Sequence, residues 1–249
     1  MGDFSDMGGK IGEVKEPAAG LEQRLGGLTA AGQPGLNKSP AARTLPPAMN
    51  FLAHLFLSGA PGAAGYADVL VGNFIADSVP GRQLESYPPG VQAGIRLHRA
   101  IDTFTDQHPV VRRSTQRLRA AGYGKYAGVI SDMFLDHFLA RHFAEFSPEP
   151  LPDFARRTYA LLHARAPEMP ARVQQMLGYM TQHNWLPGYA EIEGIARALG
   201  GLSRRASAGS GMETAATELV ANYAAYEADF RAFFPQLQQL VAALLPAAS

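Results

Sequence analysis

The sequence predicts an all-α protein, a single domain of about seven to nine helices. Apolar residues recur at helical spacing from Asn50 onward. Alternating apolar and polar residues, the pattern of half-buried strands, do not extend over any comparable stretch. Segment 129–139 is apolar on nearly every side, which is typical of a helix at the centre of a helical domain.

The first 48 residues differ in composition from the rest of the chain. They are rich in Gly, Pro and Ala, and no aromatic residue follows Phe4. Such a segment buries too little apolar surface to offset the entropy of the chain. We therefore expect a disordered extension over residues 1–48 and one helical domain over residues 49–249.

The individual helices follow from apolar periodicity and from their end signals. Pro88 and Pro89 open a helix that runs from about residue 91 through 102, and Gly122 ends the next one. Gly200 and Gly201 are expected to close a helix, and Pro235 to break a long one. The predicted helices are 66–75, 91–102, 110–121, 125–146, 152–165, 171–182, 189–199 and 213–245.

Charge and cysteine content narrow the function classes. The 22 basic residues balance the 22 acidic ones, so bulk charge gives no support for nucleic-acid binding. The chain has no cysteine, which excludes disulfides and thiolate metal ligands. No apolar run reaches the roughly 18 residues of a membrane span, and the first residues do not resemble a signal peptide. We expect a cytoplasmic protein without a membrane or nucleic-acid partner.

Histidine and aspartate residues recur in four apolar helical segments: 51–57, 72–77, 94–102 and 129–139. Ionised carboxylates rarely enter apolar surroundings unless a counter-charge compensates them. One such group can be accidental. Four of them in one part of the chain indicate a site that gathers carboxylates and imidazoles around a metal cation.

Two pairs in these segments are spaced to act together. His98 and Asp102 are four residues apart, so both project from one helix face. Asp132 and Asp136 have the same spacing, and His137 follows them. The first pair can also be an intrahelical pair that binds nothing. The second can instead be neutralised by an arginine, for which the candidates are Arg96, Arg99 and Arg141.

Two further residues are ambiguous when taken alone. His54 fits a core histidine, and Asp77 fits a turn residue at the end of a helix.

Histidine and carboxylate ligands without thiolates favour Mn²⁺, Mg²⁺ or Fe²⁺ over a structural Zn²⁺. Such an ion lowers the pKa of bound water and polarises a phosphoryl oxygen, which favours hydrolysis of a phosphate ester.

A basic segment follows the His98–Asp102 pair. Four arginines lie on predicted helix 110–121 and a lysine follows it: Arg112, Arg113, Arg117, Arg119 and Lys125. They can form an ordinary solvated helix face. They can also form a docking surface for an acidic partner, whose attraction would weaken as salt rises.

Four motifs together resemble those of the acyl carrier protein phosphodiesterases. They are Met49-Asn-Phe-Leu-Ala-His-Leu, Gly72-Asn-Phe-Ile-Ala-Asp, Gly94-Ile-Arg-Leu-His-Arg-Ala-Ile-Asp-Thr-Phe-Thr-Asp106 and Asp132-Met-Phe-Leu-Asp-His-Phe-Leu-Ala-Arg141. The similarity starts at Met49, weakens toward Pro235 and leaves out the first 48 residues.

The resemblance implies a helical fold distantly related to HD-type metal phosphohydrolases. It implies hydrolysis of the phosphodiester that joins 4′-phosphopantetheine to a serine of acyl carrier protein, with Mn²⁺ as the metal and Mg²⁺ or Fe²⁺ as alternatives. The acidic carrier would then be the partner of the basic segment. The motifs imply these metal-site residues: Asp77, His98, Asp102, Asp132, Asp136 and His137, with His54 as a further candidate. Asp77, His98 and Asp132 are expected to be catalytic.

Two other functions stay open at this point. An HD-type phosphohydrolase can use the same residues on a nucleotide or another small phosphoester. A non-catalytic helical binding protein would use its His and Asp pairs only for structure.

Overall fold

The computed structural model describes residues 51–206 and 209–245, so the expected extension over residues 1–48 and the domain start at Met49 lie outside it. The described residues form twelve α-helices and five 3-10 helices and contain no strand, which confirms the all-α prediction. Eight of these α-helices have ten or more residues, in agreement with the expected seven to nine, and four have seven or fewer.

The helices are numbered here in chain order. The α-helices are α1 Phe51–Phe56, α2 Tyr66–Ile75, α3 Pro89–Gln107, α4 Pro109–Ala120, α5 Ala127–Arg141, α6 Phe143–Phe146, α7 Leu151–Ala164, α8 Ala171–Gln182, α9 Trp185–Gly188, α10 Ile192–Arg205, α11 Ala215–Ala221 and α12 Tyr223–Leu244. The 3-10 helices are Ala76–Ser78, Gly81–Ser86, Gly124–Tyr126, Ala166–Glu168 and Met212–Thr214. Within the described ranges, no helix combines the length and apolarity needed to span a membrane.

Helix α5 lies at the centre of the fold, as its sequence predicts. Eleven of its fifteen residues are buried. It packs against α1, α4, α10 and α12, so apolar side chains are needed on nearly every side of it. The polar residues that α5 carries are therefore enclosed by neighbouring helices.

Helices α2 and α3 form a tight contact through two glycines. A Cβ atom added to Gly72 would lie 2.0 Å from the carbonyl oxygen of Val91, and one added to Gly94 would lie 2.1 Å from that of Val69. Only glycine allows two helix backbones to approach so closely. The contact sets Asn73, which follows Gly72, against the face of α3 that carries His98.

Three expected helix ends are wrong. The predicted helix 125–146 is divided at His142, where the backbone leaves α5 before α6 begins. Gly200 and Gly201 lie inside α10, because Leu199 and Leu202 on either side are held in the core. The final segment breaks at Asn222, and α12 continues through Pro235. At Gly200, Gly201 and Pro235, burial of neighbouring apolar side chains outweighs the local helix-breaking tendency.

Candidate metal centre

His54, His98 and Asp102 converge at the junction of α1, α2 and α3. One ligand atom from each lies within 4.8 Å of the others. The Nε2 atom of His54 is 3.1 Å from Oδ1 of Asp102, and that of His98 is 3.3 Å from Oδ2. The imidazole rings stack with their centroids 3.9 Å apart. The helical spacing of His98 and Asp102 thus places them at one cluster, to which α1 contributes the second imidazole.

The side chain of Asn73 orients both imidazoles. Its Nδ2 donates to the carbonyl of His54 at 2.7 Å, which leaves Oδ1 as an acceptor. The Nδ1 atoms of His54 and His98 lie 2.9 and 3.1 Å from that Oδ1. The Nδ1 of His98 also lies 2.9 Å from the Asn73 carbonyl oxygen. Protons on both Nδ1 atoms satisfy these contacts, so the two Nε2 atoms are left to face Asp102.

The cluster has a buried side and an open side. His54 and His98 are only 2% and 6% exposed. The Asp102 side chain is 38% exposed, and that of Asp77 is 28% exposed. Asp77 lies in the 3-10 helix after α2, with Oδ1 3.2 Å from Nε2 of His98. A solute can therefore reach the cluster from the side of the two carboxylates.

The charges in the cluster are strongly coupled. Burial alone would lower the pKa of His98, but its hydrogen bonds to Asp102 and Asp77 outweigh burial and raise it to about 10. Burial and the neighbouring His98 lower the pKa of His54. The pKa of Asp102 is held well below its usual range, because contacts with both imidazoles overcome the cost of burial. The carboxylates of Asp102 and Asp77 thus stabilise a positive charge on the imidazole of His98, whose Nε2 atom faces them.

Asp132 lies on the α5 side of this group of acids. It has no hydrogen-bond or ion-pair partner among the residues that the structure describes. Burial, followed by the charges of Asp102 and Asp106, raises its pKa well above the usual aspartate value. No arginine partner of this acid is found among the described residues, and the raised pKa favours the protonated, neutral form of Asp132.

Asp136 has a different environment, although it lies one turn further along α5. It is fully buried and accepts hydrogen bonds from the backbone N–H groups of Leu52 and Ala53, at 2.9 and 2.8 Å. Burial nevertheless raises its pKa to about 7. Both carboxylate oxygens are used to hold the first turn of α1, the helix that carries His54. Among the described residues, Asp136 is not one of the three whose ligand atoms converge.

His137 is also outside the cluster. Its Nδ1 lies 2.8 Å from the carbonyl oxygen of Tyr189, and its Nε2 lies 3.0 Å from the Tyr223 hydroxyl. Nδ1 donates to the carbonyl, so Nε2 accepts from the hydroxyl. Both ring nitrogens are therefore occupied by contacts with α12 and with the segment after α9.

The basic segment forms α4 and the 3-10 helix after it, but two of its arginines form ion pairs with an acid of this chain. Arg113 Nε and Arg117 Nη1 bind the buried carboxylate of Asp229 on α12, at 2.8 and 3.0 Å. Ser114 Oγ adds a third donor at 2.6 Å. Arg112 and Arg119 are exposed. Lys125 lies 5.1 Å from the ring centroid of Tyr126.

Asn73 is not among the site residues that the sequence predicts, although it lies within the motif that ends at Asp77. A buried amide next to a glycine in an apolar helix is the signal that can identify such a residue. The glycine permits a close helix contact, and the amide then has to find partners on the other helix.

The donors of the cluster fit a divalent cation. His54 Nε2 is buried and has no aligned hydrogen-bond partner within the described ranges, although Asp102 Oδ1 is close. Two imidazole nitrogens and a carboxylate oxygen are suitable ligands for Mn²⁺, Fe²⁺ or Zn²⁺. A cation among them would satisfy His54 and replace the proton that the acids hold on His98.

Comparison with known proteins identifies relatives of the chain. A family model described as acyl carrier protein phosphodiesterase matches residues 49–237. Proteins with that name from Enterobacter sp. (strain 638) and Escherichia coli O157:H7 are 35% identical over 190 residues, which cover 76% of this chain and 95% of theirs. The Yersinia pestis protein of that name is 33% identical over 192 residues, 77% of this chain and 96% of its own. No solved structure matches the chain, so the relationship to HD-type enzymes stays a prediction.

Proposed function

The chain belongs to the acyl carrier protein phosphodiesterase family, and we propose that it hydrolyses holo-acyl carrier protein to apo-acyl carrier protein and 4′-phosphopantetheine. The observation that carries this proposal is the cluster of ligand atoms from His54, His98 and Asp102. Together with the sequence-based expectations, the proposal includes a cytoplasmic location and Mn²⁺ as the bound ion.

In this proposal His54, His98 and Asp102 hold the metal, and Asn73 fixes the two imidazoles. A divalent ion there supplies positive charge to the phosphoryl group and makes water a stronger nucleophile. Asn73 keeps the Nε2 atoms aligned before any ion arrives, so little reorganisation accompanies binding.

The remaining acids handle protons. Asp77 lies on the open side of the cluster beside His98, where a carboxylate can take a proton from the attacking water. Asp132 has a raised pKa and no hydrogen-bond partner in the described part of the chain, so it is suited to hold a proton for the departing serine oxygen. Asp136 supports His54 by holding α1.

The main test uses the intact carrier as its substrate. Holo-acyl carrier protein is incubated with the full chain and Mn²⁺ or EDTA, and the carrier is weighed by mass spectrometry. We expect loss of the phosphopantetheine mass with Mn²⁺ and none with EDTA. His54→Gln should abolish the loss, whereas His163→Gln should keep it, because His163 lies on the exposed surface of α7.

Other outcomes separate the competing functions. Turnover of a nucleotide, without loss of phosphopantetheine from the carrier, would favour a phosphohydrolase whose substrate is a small phosphoester. Absence of any turnover, together with no Mn²⁺ bound by the purified protein, would exclude both enzymatic functions.

Docking of the acidic carrier is tested on Arg112 and Arg119, the exposed arginines of α4 that do not bind Asp229. Arg113 and Arg117 hold Asp229, so reversing their charge would confuse docking with folding. Arg112→Glu combined with Arg119→Glu should raise the KM for the carrier by about fivefold at low salt, and less at high salt. Arg82→Glu, on the exposed 3-10 helix after α2, is the control. An unchanged KM in the double variant would reject docking on α4.

A further inference from the structure

A second site lies away from the metal centre. A cleft of about 470 Å³ opens between α8, α9 and α10, and no residue of the His54, His98 and Asp102 cluster lines it. Three arginines line this cleft, and no carboxylate side chain does. Its volume is in the usual range for small-molecule sites, and its charge favours an anionic ligand.

Two glycines, which have no side chains, lie between two of these arginines on the helix. Arg197 and Arg204 are two turns apart on α10, and Gly200 and Gly201 lie between them. A Cβ on Gly200 would lie 3.6 Å from Nη1 of Arg204, and one on Gly201 would lie 3.8 Å from Nη2. Neither Arg197 nor Arg204 has an ion-pair partner within residues 51–206 and 209–245. Their donors are therefore available to a ligand that reaches the glycine backbone.

Positive charge is concentrated at this end of α10. Burial and the nearby charges of Arg172 and Arg204 lower the pKa of Arg205, which also lines the cleft. A phosphate group would relieve this repulsion and accept paired hydrogen bonds from a guanidinium group.

Aromatic side chains also line the cleft. The ring of Tyr179 lies 4.1 Å from that of His183 and meets Trp185 edge-on at 5.7 Å. Tyr179 is 52% exposed, which is unusual for a large ring in this protein. Tyr189 also lines the cleft, but its side chain is buried and its hydroxyl is enclosed by the protein. The exposed ring of Tyr179 can stack against a planar group.

We propose that this cleft binds a nucleoside phosphate, with its phosphates on Arg197 and Arg204 and its base against Tyr179. Charge alone would suit any anion, but the exposed ring beside the arginines favours a ligand that also has a planar group. The proposal does not depend on the hydrolysis proposed above, because no residue of the metal centre takes part.

The only tryptophan of the chain, Trp185, lines the cleft and reports on its occupancy. ADP is titrated into the full chain in EDTA, with Trp185 excited at wavelengths that adenine does not absorb. We expect a saturable change in emission, and a weaker affinity for inorganic pyrophosphate. Arg197→Ala combined with Arg204→Ala should weaken ADP binding at least tenfold. Tyr179→Ala should weaken binding of ADP but not of pyrophosphate.

The control is Arg82→Ala, a change of one exposed arginine outside the cleft, which should leave ADP affinity unchanged. Equilibrium dialysis with labelled ADP checks the optical result, and circular dichroism checks that each variant is folded. The proposal is overturned by unsaturable ADP binding, by equal losses in the control and the double variant, or by a response to an acidic carrier protein alone.

Discussion

Two groups of buried charge in this protein differ in how their charge is balanced. Asp229 accepts bonds from Arg113, Ser114 and Arg117, so the chain itself supplies every partner that this carboxylate needs. At the metal centre, Asp102 and Asp77 share the imidazole of His98. Both groups are buried polar clusters in helical sequence, but only the second has more acid than base.

The difference separates structural charge from functional charge. Asp229 joins α4 to α12 and has no remaining need for a ligand. The acids around His98 are balanced only by a raised histidine pKa, which a cation can replace. The same contrast divides α5, where Asp136 is satisfied by backbone N–H groups and Asp132 is not. A cation is therefore expected to bind where a cluster has more negative than positive charge.

The largest expected effect is on activity. Asp102→Asn should lower kcat/KM for holo-carrier at least about 1,000-fold, equal to about 4 kcal/mol, because it removes a metal ligand and its charge. Stability should change by less than about 1 kcal/mol, because Asp102 is partly exposed. Carrier mass spectrometry and urea unfolding measure the two quantities. Near-normal activity in this variant would remove Asp102 from the site.

The second-largest effect is expected on stability, at the contact between α2 and α3 that brings Asn73 to His98. Gly72→Ala should destabilise the protein by about 3 kcal/mol, because the added methyl group meets the Val91 carbonyl. Gly128→Ala is the matched control, since a Cβ on this helical glycine has nothing within 4 Å. It should stabilise by up to about 1 kcal/mol. If urea unfolding shows equal stability for the two variants, the contact is looser than described.

Asp229→Asn should have the opposite profile to Asp102→Asn. We expect a loss of about 2 kcal/mol, below the value for a fully enclosed ion pair because Arg113 is largely solvent-exposed. Activity per folded molecule should be unchanged. The arginine contacts outweigh burial and lower the pKa of Asp229 in the folded protein. Their contribution to stability is therefore present above the pKa of an unfolded aspartate, and it is lost as the pH falls through the lowered pKa of Asp229. Urea unfolding at several pH values measures this, with exposed Asp153→Asn as control.

The smallest effect is a linkage between metal and proton. A cation at His98 Nε2 must displace a proton whose pKa is about 10. Below that value the proton competes, so Mn²⁺ affinity should rise as pH rises, by about tenfold or 1.4 kcal/mol per unit. Calorimetry in buffers of different ionisation enthalpy should show release of about one proton. A pH-independent affinity would place the ion elsewhere.

The sequence predicted the helical class because apolar periodicity is a local property of the chain. It also predicted the pairing of His98 with Asp102, which depends only on positions within one helix. The break expected at Pro235 was wrong, because burial of Phe234 and Leu237 maintains α12 across it. Packing between distant elements decides such cases.

The assembly of the site depends on contacts between helices. The sequence could not show that Asp136 would meet the backbone of α1, since this contact joins residues more than eighty positions apart. Spacing alone gave Asp132 and Asp136 the same expected role. Which of two neighbouring acids is satisfied follows only from the elements that pack on each side of the helix.

The hydrogen bonds of Asn73 have a consequence for how the protein acquires its ion. In small zinc domains the ion brings the ligands together, and the chain unfolds when it is removed. Here an amide side chain already holds both imidazoles. Folding and metal loading are therefore expected to be separate steps. The supply of the ion would then switch the protein on and off reversibly, without exposing the chain to degradation.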